Sequence, residues 1–177
     1  MGILYFCSDF LRTSKDFKVN DVRFDFTATS VAGSSTKSAE AITLRAAAAT
    51  QSFSVTRTVD ISEIGDDDVL EYVAKIYKVK VDNSIISVTV SPAGAYTVEN
   101  LTVTAVGVSG SIMIPSYTMG NAFTLTSGMI VFTEAFFKKL KEDRSVSVTV
   151  TGMTDAPAGT TINIRYESDV IFTASLL

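Results

Sequence analysis

The chain of 177 residues contains no histidine, no tryptophan and a single cysteine. Without histidine, serine–histidine and cysteine–histidine nucleophile pairs cannot be built, and histidine-bearing zinc or iron sites are equally out of reach. Cys7 has no second cysteine to pair with, so no intrachain disulfide forms and an oxidising compartment is not required. It also lacks a neighbouring base that would lower its pKa, and reads as a small buried hydrophobe. Basic charge is scarce: 15 Lys and Arg stand against 19 Asp and Glu, a net charge of -4. That balance argues against direct nucleic-acid binding, whose affinity comes mainly from cations neutralising phosphates. The one tight basic group, Lys138, Lys139 and Lys141, reads as the solvated last turn of a helix. No apolar run approaches the roughly 18 residues of a membrane span. The opening, MGILYFCSDFLRTSKD, has neither the basic start nor the small-residue cleavage site of a secretory signal, so none is expected.

The acids that are present do not single out a reaction centre. A paired-carboxylate glycosidase stays formally open, and Glu99 and Glu167 are the least bland candidates, but both read as surface residues. Asp66, Asp67 and Asp68 could be cation ligands; as a run without spaced oxygens or a closing carboxylate, they fit a helix-capping acidic turn better. The glycines between Gly107 and Ser111 match neither a P-loop nor a dinucleotide fingerprint. No cofactor, no metal site and no catalytic residue is expected, and the chain does not read as an enzyme.

What the sequence does have is alternation. Val146, Val148 and Val150 alternate with Ser145, Ser147, Thr149 and Thr151, and Ile162, Ile164 and Tyr166 alternate with Asn163, Arg165 and Glu167. Period two is the mark of a strand with one buried face; with the turn MTDAPAGTT between them, these two runs are expected to pair as an antiparallel hairpin. The same pattern predicts strands at 22–28, 52–61 and 84–90, and two more on either side of Gly107 to Ser111. AITLRAAAATQ leans to strand, and AFTLTSGMIVF reads as a strand pair or one kinked strand. The segment IGDDDVLEYVAKIYKVKV predicts a short helix running into the strand KVKV, with Asp68 and Glu71 imitating a capping box, and Asp82, Asn83 and Ser84 then make a turn. A second helix is predicted with Thr133 as N-cap and Phe136, Phe137 and Leu140 facing inward, plugging one end of the molecule.

The expected fold is all-β: one antiparallel β-sandwich domain over residues 1–177, jelly-roll-like or alternatively immunoglobulin-like, with one or two short helices. Residues 1–20 form an N-terminal arm too apolar for a free tail. A single Ser-, Thr-, Val- and Ala-rich β domain with apolar ends and no evident active site suggests a structural, self-assembling virion protein, a phage or viral capsid or decoration protein. Its expected partners are other copies of itself and other capsid proteins, and its expected location is the virion. Contacts are assigned to Leu4, Phe6, Phe10, Leu176 and Leu177. The alternative is a carbohydrate-binding or adhesin-like sandwich module in which Tyr96 and Tyr117, both next to loops, stack on a glycan.

Overall fold

In strand after strand every second side chain is apolar, and two sheets bury those apolar halves against each other. The computed structural model describes residues 13–32 and 50–176. In chain order the elements are β1 (Ser14–Thr29), β2 (Val31–Ala32), β3 (Gln51–Asp60), α1 (Asp67–Tyr72), β4 (Ile76–Ser91), β5 (Thr97–Ala105), β6 (Ile112–Thr118), β7 (Ala122–Thr124), α2 (Ser127–Asp143), β8 (Ser145–Thr154) and β9 (Thr161–Ser175). One sheet has the order β1-β9-β4-β7 and the other β2-β3-β8-β5-β6, and every pairing is antiparallel. The protein is therefore an all-β sandwich with few helices. The long loop predicted behind β1 and most of AITLRAAAATQ lie outside the described residues, as does Cys7. Of the arm expected over 1–20, residues 14–20 belong to β1, paired with β9.

The strands over 145–151 and 162–174 form where alternation places them, but they are not a hairpin. β8 lies between β3 and β5, while β9 lies between β1 and β4 in the opposite sheet. The connecting chain crosses the sandwich instead of turning back, and it is anchored at the point where β1 also changes sheets. There the buried Ser30 donates through its hydroxyl to Pro157 O at 2.6 Å and accepts from Thr160 N at 3.0 Å, while its own N–H donates to Thr160 O at 2.9 Å. Thr154 holds the other end, donating to Thr97 O and accepting from Ala156 N.

β1, β4 and β9 are far longer than the strands facing them, so the five-stranded sheet covers only part of their apolar side. Helices and 3-10 turns cover the rest. Phe137 of α2 meets Phe172 edge-on at 6.1 Å, and Tyr72 of α1 lies 5.2 Å from Phe17. Phe136, Phe137 and Leu140 are buried as predicted. The helix itself starts earlier than the sequence suggests. Thr126 is its N-cap, the second half of AFTLTSGMIVF is its first turns, and Thr133 sits in its interior, donating to Met129 O at 3.0 Å. Phe132 of that stretch is drawn into the core, and burial outweighs the strand preference of Ile130, Val131 and Thr133.

The expected turn at Asp82, Asn83 and Ser84 is a bulge inside the continuous β4: Asn83 takes φ 49°, and the pairing register with β9 shifts between Asp82 and Ile85. A bulge needs the same tolerance for left-handed backbone that a turn does, and asparagine supplies both. The first helix is α1 as predicted, but Asp66, not Asp68, caps it, accepting from Val69 N at 2.9 Å. A capping box lies upstream, where Asp60 and Glu63 close the 3-10 turn Ile61–Ile64.

Open strand edges are ready templates for unwanted pairing, and side chains cover part of each long one. β7 pairs with β4 only at Ile85 to Ser87; below that, Glu134 accepts from Val81 N at 3.2 Å and Lys141 donates to Ile76 O at 2.8 Å. On the free edge of β1, Arg57 donates to Asp25 O at 2.8 Å.

Candidate functional site

The two outer faces of the sandwich differ in chemistry. The four-stranded face carries charge, centred on Asp25, which accepts from Arg23 Nε at 2.8 Å and from Arg165 Nε at 2.9 Å. Burial would raise the Asp25 pKa, but the hydrogen bonds and charges of Arg165 and Arg23 outweigh it and hold the carboxyl below its ordinary value. Further along the same face Asp169 is also held low, first by the hydrogen bond from Asn83 and then by the Asp21 backbone. The five-stranded face is a field of hydroxyls. Thr56, Thr149 and Thr104 sit opposite one another across β3, β8 and β5, and Ser54, Thr151 and Thr102 make the next row. The Thr56 and Thr149 hydroxyls bond each other at 2.8 Å.

A groove of about 470 Å³ runs across this second face, lined by Thr29, Val31, Ser52, Phe53, Ser54, Asn100, Thr151, Gly152 and Met153. Beneath its floor Gly152 is paired with Phe53 and faces the core with it; a Cβ there would come within 2.5 Å of the Phe53 ring, so glycine lets that ring pack directly under the strand. One wall rises where β1 crosses to β2. The other rises at a bulge in β5, where the register shifts between Glu99 and Thr102 and Asn100 takes φ 53°. Sequence reading passed over Asn100, although the inward residues Val98 and Leu101 are three apart where two is the period, which is the signature of an inserted residue. A second, apolar void of about 40 Å³ lies between the sheets beneath α2.

At the far end of the four-stranded sheet, β4 carries an extra residue. Ile76 pairs with Ala174 and Lys78 with Thr173, so Tyr77 is squeezed out of register and is 53% exposed. Leu176, 41% exposed, stands just beyond, its N–H bonded to Thr13 O at 2.9 Å. Tyr77, Leu176 and the point from which residues 1–12 depart therefore share one end of the molecule. Of the contact residues expected from sequence, Leu176 is at the surface, and Leu4, Phe6, Phe10 and Leu177 lie outside the described residues.

The tyrosines of the glycan alternative do not form a platform. Tyr117 is only 8% exposed and sits in the core, edge-on to Phe123, where burial raises its pKa. Tyr96 is half-buried and packed over Gly94. Proximity to loops in sequence did not translate into exposure, because Tyr117 follows the inward side of β6. Glu99 is exposed and Glu167 lies 4.0 Å from Arg165. Asp66 caps α1 and Asp68 pairs with Lys15 at 3.6 Å; among the described residues no cluster of three or more metal-ligating side chains is present. Among the same residues no helix is long and apolar enough to cross a membrane. The chain matches no protein-family model, no curated protein and no solved structure.

Proposed function

We propose that the protein is a jelly-roll structural subunit of a virion, a phage or viral capsid or decoration protein that works through subunit–subunit contacts. The observation that carries this reading is the strand order. With the two-residue β2 set aside, eight strands remain, and the hydrogen-bonded neighbours include first with last (β1 and β9), second with seventh (β3 and β8), third with sixth (β4 and β7) and fourth with fifth (β5 and β6). That is the pairing of one long hairpin rolled into two sheets. Jelly rolls are the architecture of viral capsid domains, lectins and cupins. An immunoglobulin-like sandwich is built on a different set of neighbours.

Fold alone does not assign function, and the exposed apolar end supports the choice among these classes. Tyr77 and Leu176 offer ring and aliphatic surface beside the departure of an apolar segment that includes Leu4, Phe6 and Phe10. Burying such groups against a neighbouring copy is favourable by about 25 cal/mol per Å², and closed symmetry repeats each modest contact around the particle. The edges covered by Glu134, Lys141 and Arg57 direct association toward this end and away from strand-to-strand pairing. Light scattering on the untagged full chain over a range of concentrations tests the reading. A trimer, a larger ring or particles agree with it, and a strict monomer at high concentration refutes self-assembly.

A further inference from the structure

The groove on the five-stranded face is independent of the assembly end and goes beyond the virion reading. We infer that it is a binding site for a short neutral glycan. The groove, about 470 Å³, is shallow and open along its outer side, so a ligand would lie across the strands with one side in water. Among the described residues no charged side chain lines it. A phosphate, sulfate or carboxylate would find no cation among these lining residues, and Glu99, paired across the strands with Met153, adds negative charge on that side.

The lining matches the two surfaces of a sugar ring. Ser52, Ser54 and Thr151 present hydroxyls that both donate and accept, and the Asn100 amide adds two donors and an acceptor. Among the described residues none of these four side chains has a protein hydrogen-bond partner. Val31 and Met153 supply apolar surface for the C–H face of a ring. The polar groups are held on a stiff frame: Ser54 and Thr151 are directly paired residues of neighbouring strands, and the Asn100 backbone is set by its bulge. A site on paired strands keeps its geometry without a ligand, which lowers the ordering cost of binding.

The test is saturation-transfer difference NMR on the full chain, which reads ligand protons whatever the size of the assembly. The probes are maltotriose, cellotriose, chitotriose and lactose, with sialyllactose as the anionic control. The variants are Asn100→Gly, which keeps the left-handed backbone and deletes the amide, and Thr151→Val, which removes one hydroxyl at constant shape. Saturable transfer from at least one neutral probe, at millimolar or better affinity and weakened at least tenfold in Thr151→Val and in Asn100→Gly, is the expected result. Should Asn100→Gly fail to fold, Thr151→Val alone decides. Absence of transfer from every neutral probe, transfer unchanged in Thr151→Val, or preference for sialyllactose overturns the assignment. Light scattering of Thr151→Val is expected to match the parent, so failure of the glycan site and failure of the assembly reading are told apart.

Discussion

Filling the void beneath α2 should stabilise the protein, and the size of the gain follows from the structure. The void measures about 40 Å³ and is lined by Val150, Ile164, Phe24, Phe136 and other apolar side chains from both sheets and the helix. At roughly 24 cal/mol per Å³ an empty space of that size costs on the order of 1 kcal/mol. Val150→Ile adds one methylene to a fully buried side chain on the wall and keeps the β-branched shape that a strand prefers. Burying that methylene is worth about 0.8 kcal/mol, so the expected gain is about 1 kcal/mol, or roughly 2–4 °C in Tm for a chain of this size. Urea unfolding followed by far-UV circular dichroism measures it; with no tryptophan present, fluorescence offers little signal. Ile164→Val enlarges the same space and should cost about 0.5–1.5 kcal/mol. If Val150→Ile instead destabilises by 1 kcal/mol or more, the site is already full and the added methylene is strained; the packing account beneath α2 would then be wrong.

Ser30→Ala removes the hydroxyl that ties both sheet crossings together and should cost about 1–2 kcal/mol, since the buried Thr160 N–H loses its better partner; an unchanged unfolding midpoint would show that the crossings hold without it. Burial, only partly offset by hydrogen bonds from Ser168, Ser84 and Thr133, pushes the Tyr166 phenol up to about 12. A tyrosine in the unfolded chain titrates near ~10, so above that pH the unfolded state loses its proton first and stability falls as pH rises toward 12. Absorbance at the phenolate band should show Tyr117 and Tyr166 titrating late, with the latest step, near 12, disappearing in Tyr166→Phe; a full set titrating near ~10 would contradict the burial.

Alternation made the strand faces legible, because which residues point inward depends only on a period of two. It could not name each strand's neighbour. Val146, Val148 and Val150 are buried as their spacing predicts, yet the partner of β8 is β3 or β5 and never β9. The period also breaks where the structure inserts residues. Val19 and Val22 in β1, like Val98 and Leu101 in β5, are inward residues three apart, and each gap is a bulge with a left-handed Asp21 or Asn100 inside it. Those gaps were in the sequence, and one of them builds a wall of the groove. The start of α2 was hidden for a different reason: Gly128, Ile130 and Val131 disfavour helix locally, and only the core waiting for Phe132 and Phe136 makes helix the better solution. The apolar end was half visible, since Leu176 stands out in sequence while Tyr77 reaches the surface only through a bulge.

The most direct test of the assembly claim is sedimentation velocity on four variants of the full chain. Tyr77→Asp and Leu176→Asp place charge on the exposed apolar end, Phe6→Asp places it on the segment that leaves from there, and Lys138→Gln alters an exposed lysine on α2 as a control. The account predicts that the three aspartate variants shift the distribution toward monomer while Lys138→Gln sediments as the parent does. Aspartate variants that assemble as fully as the parent would contradict it.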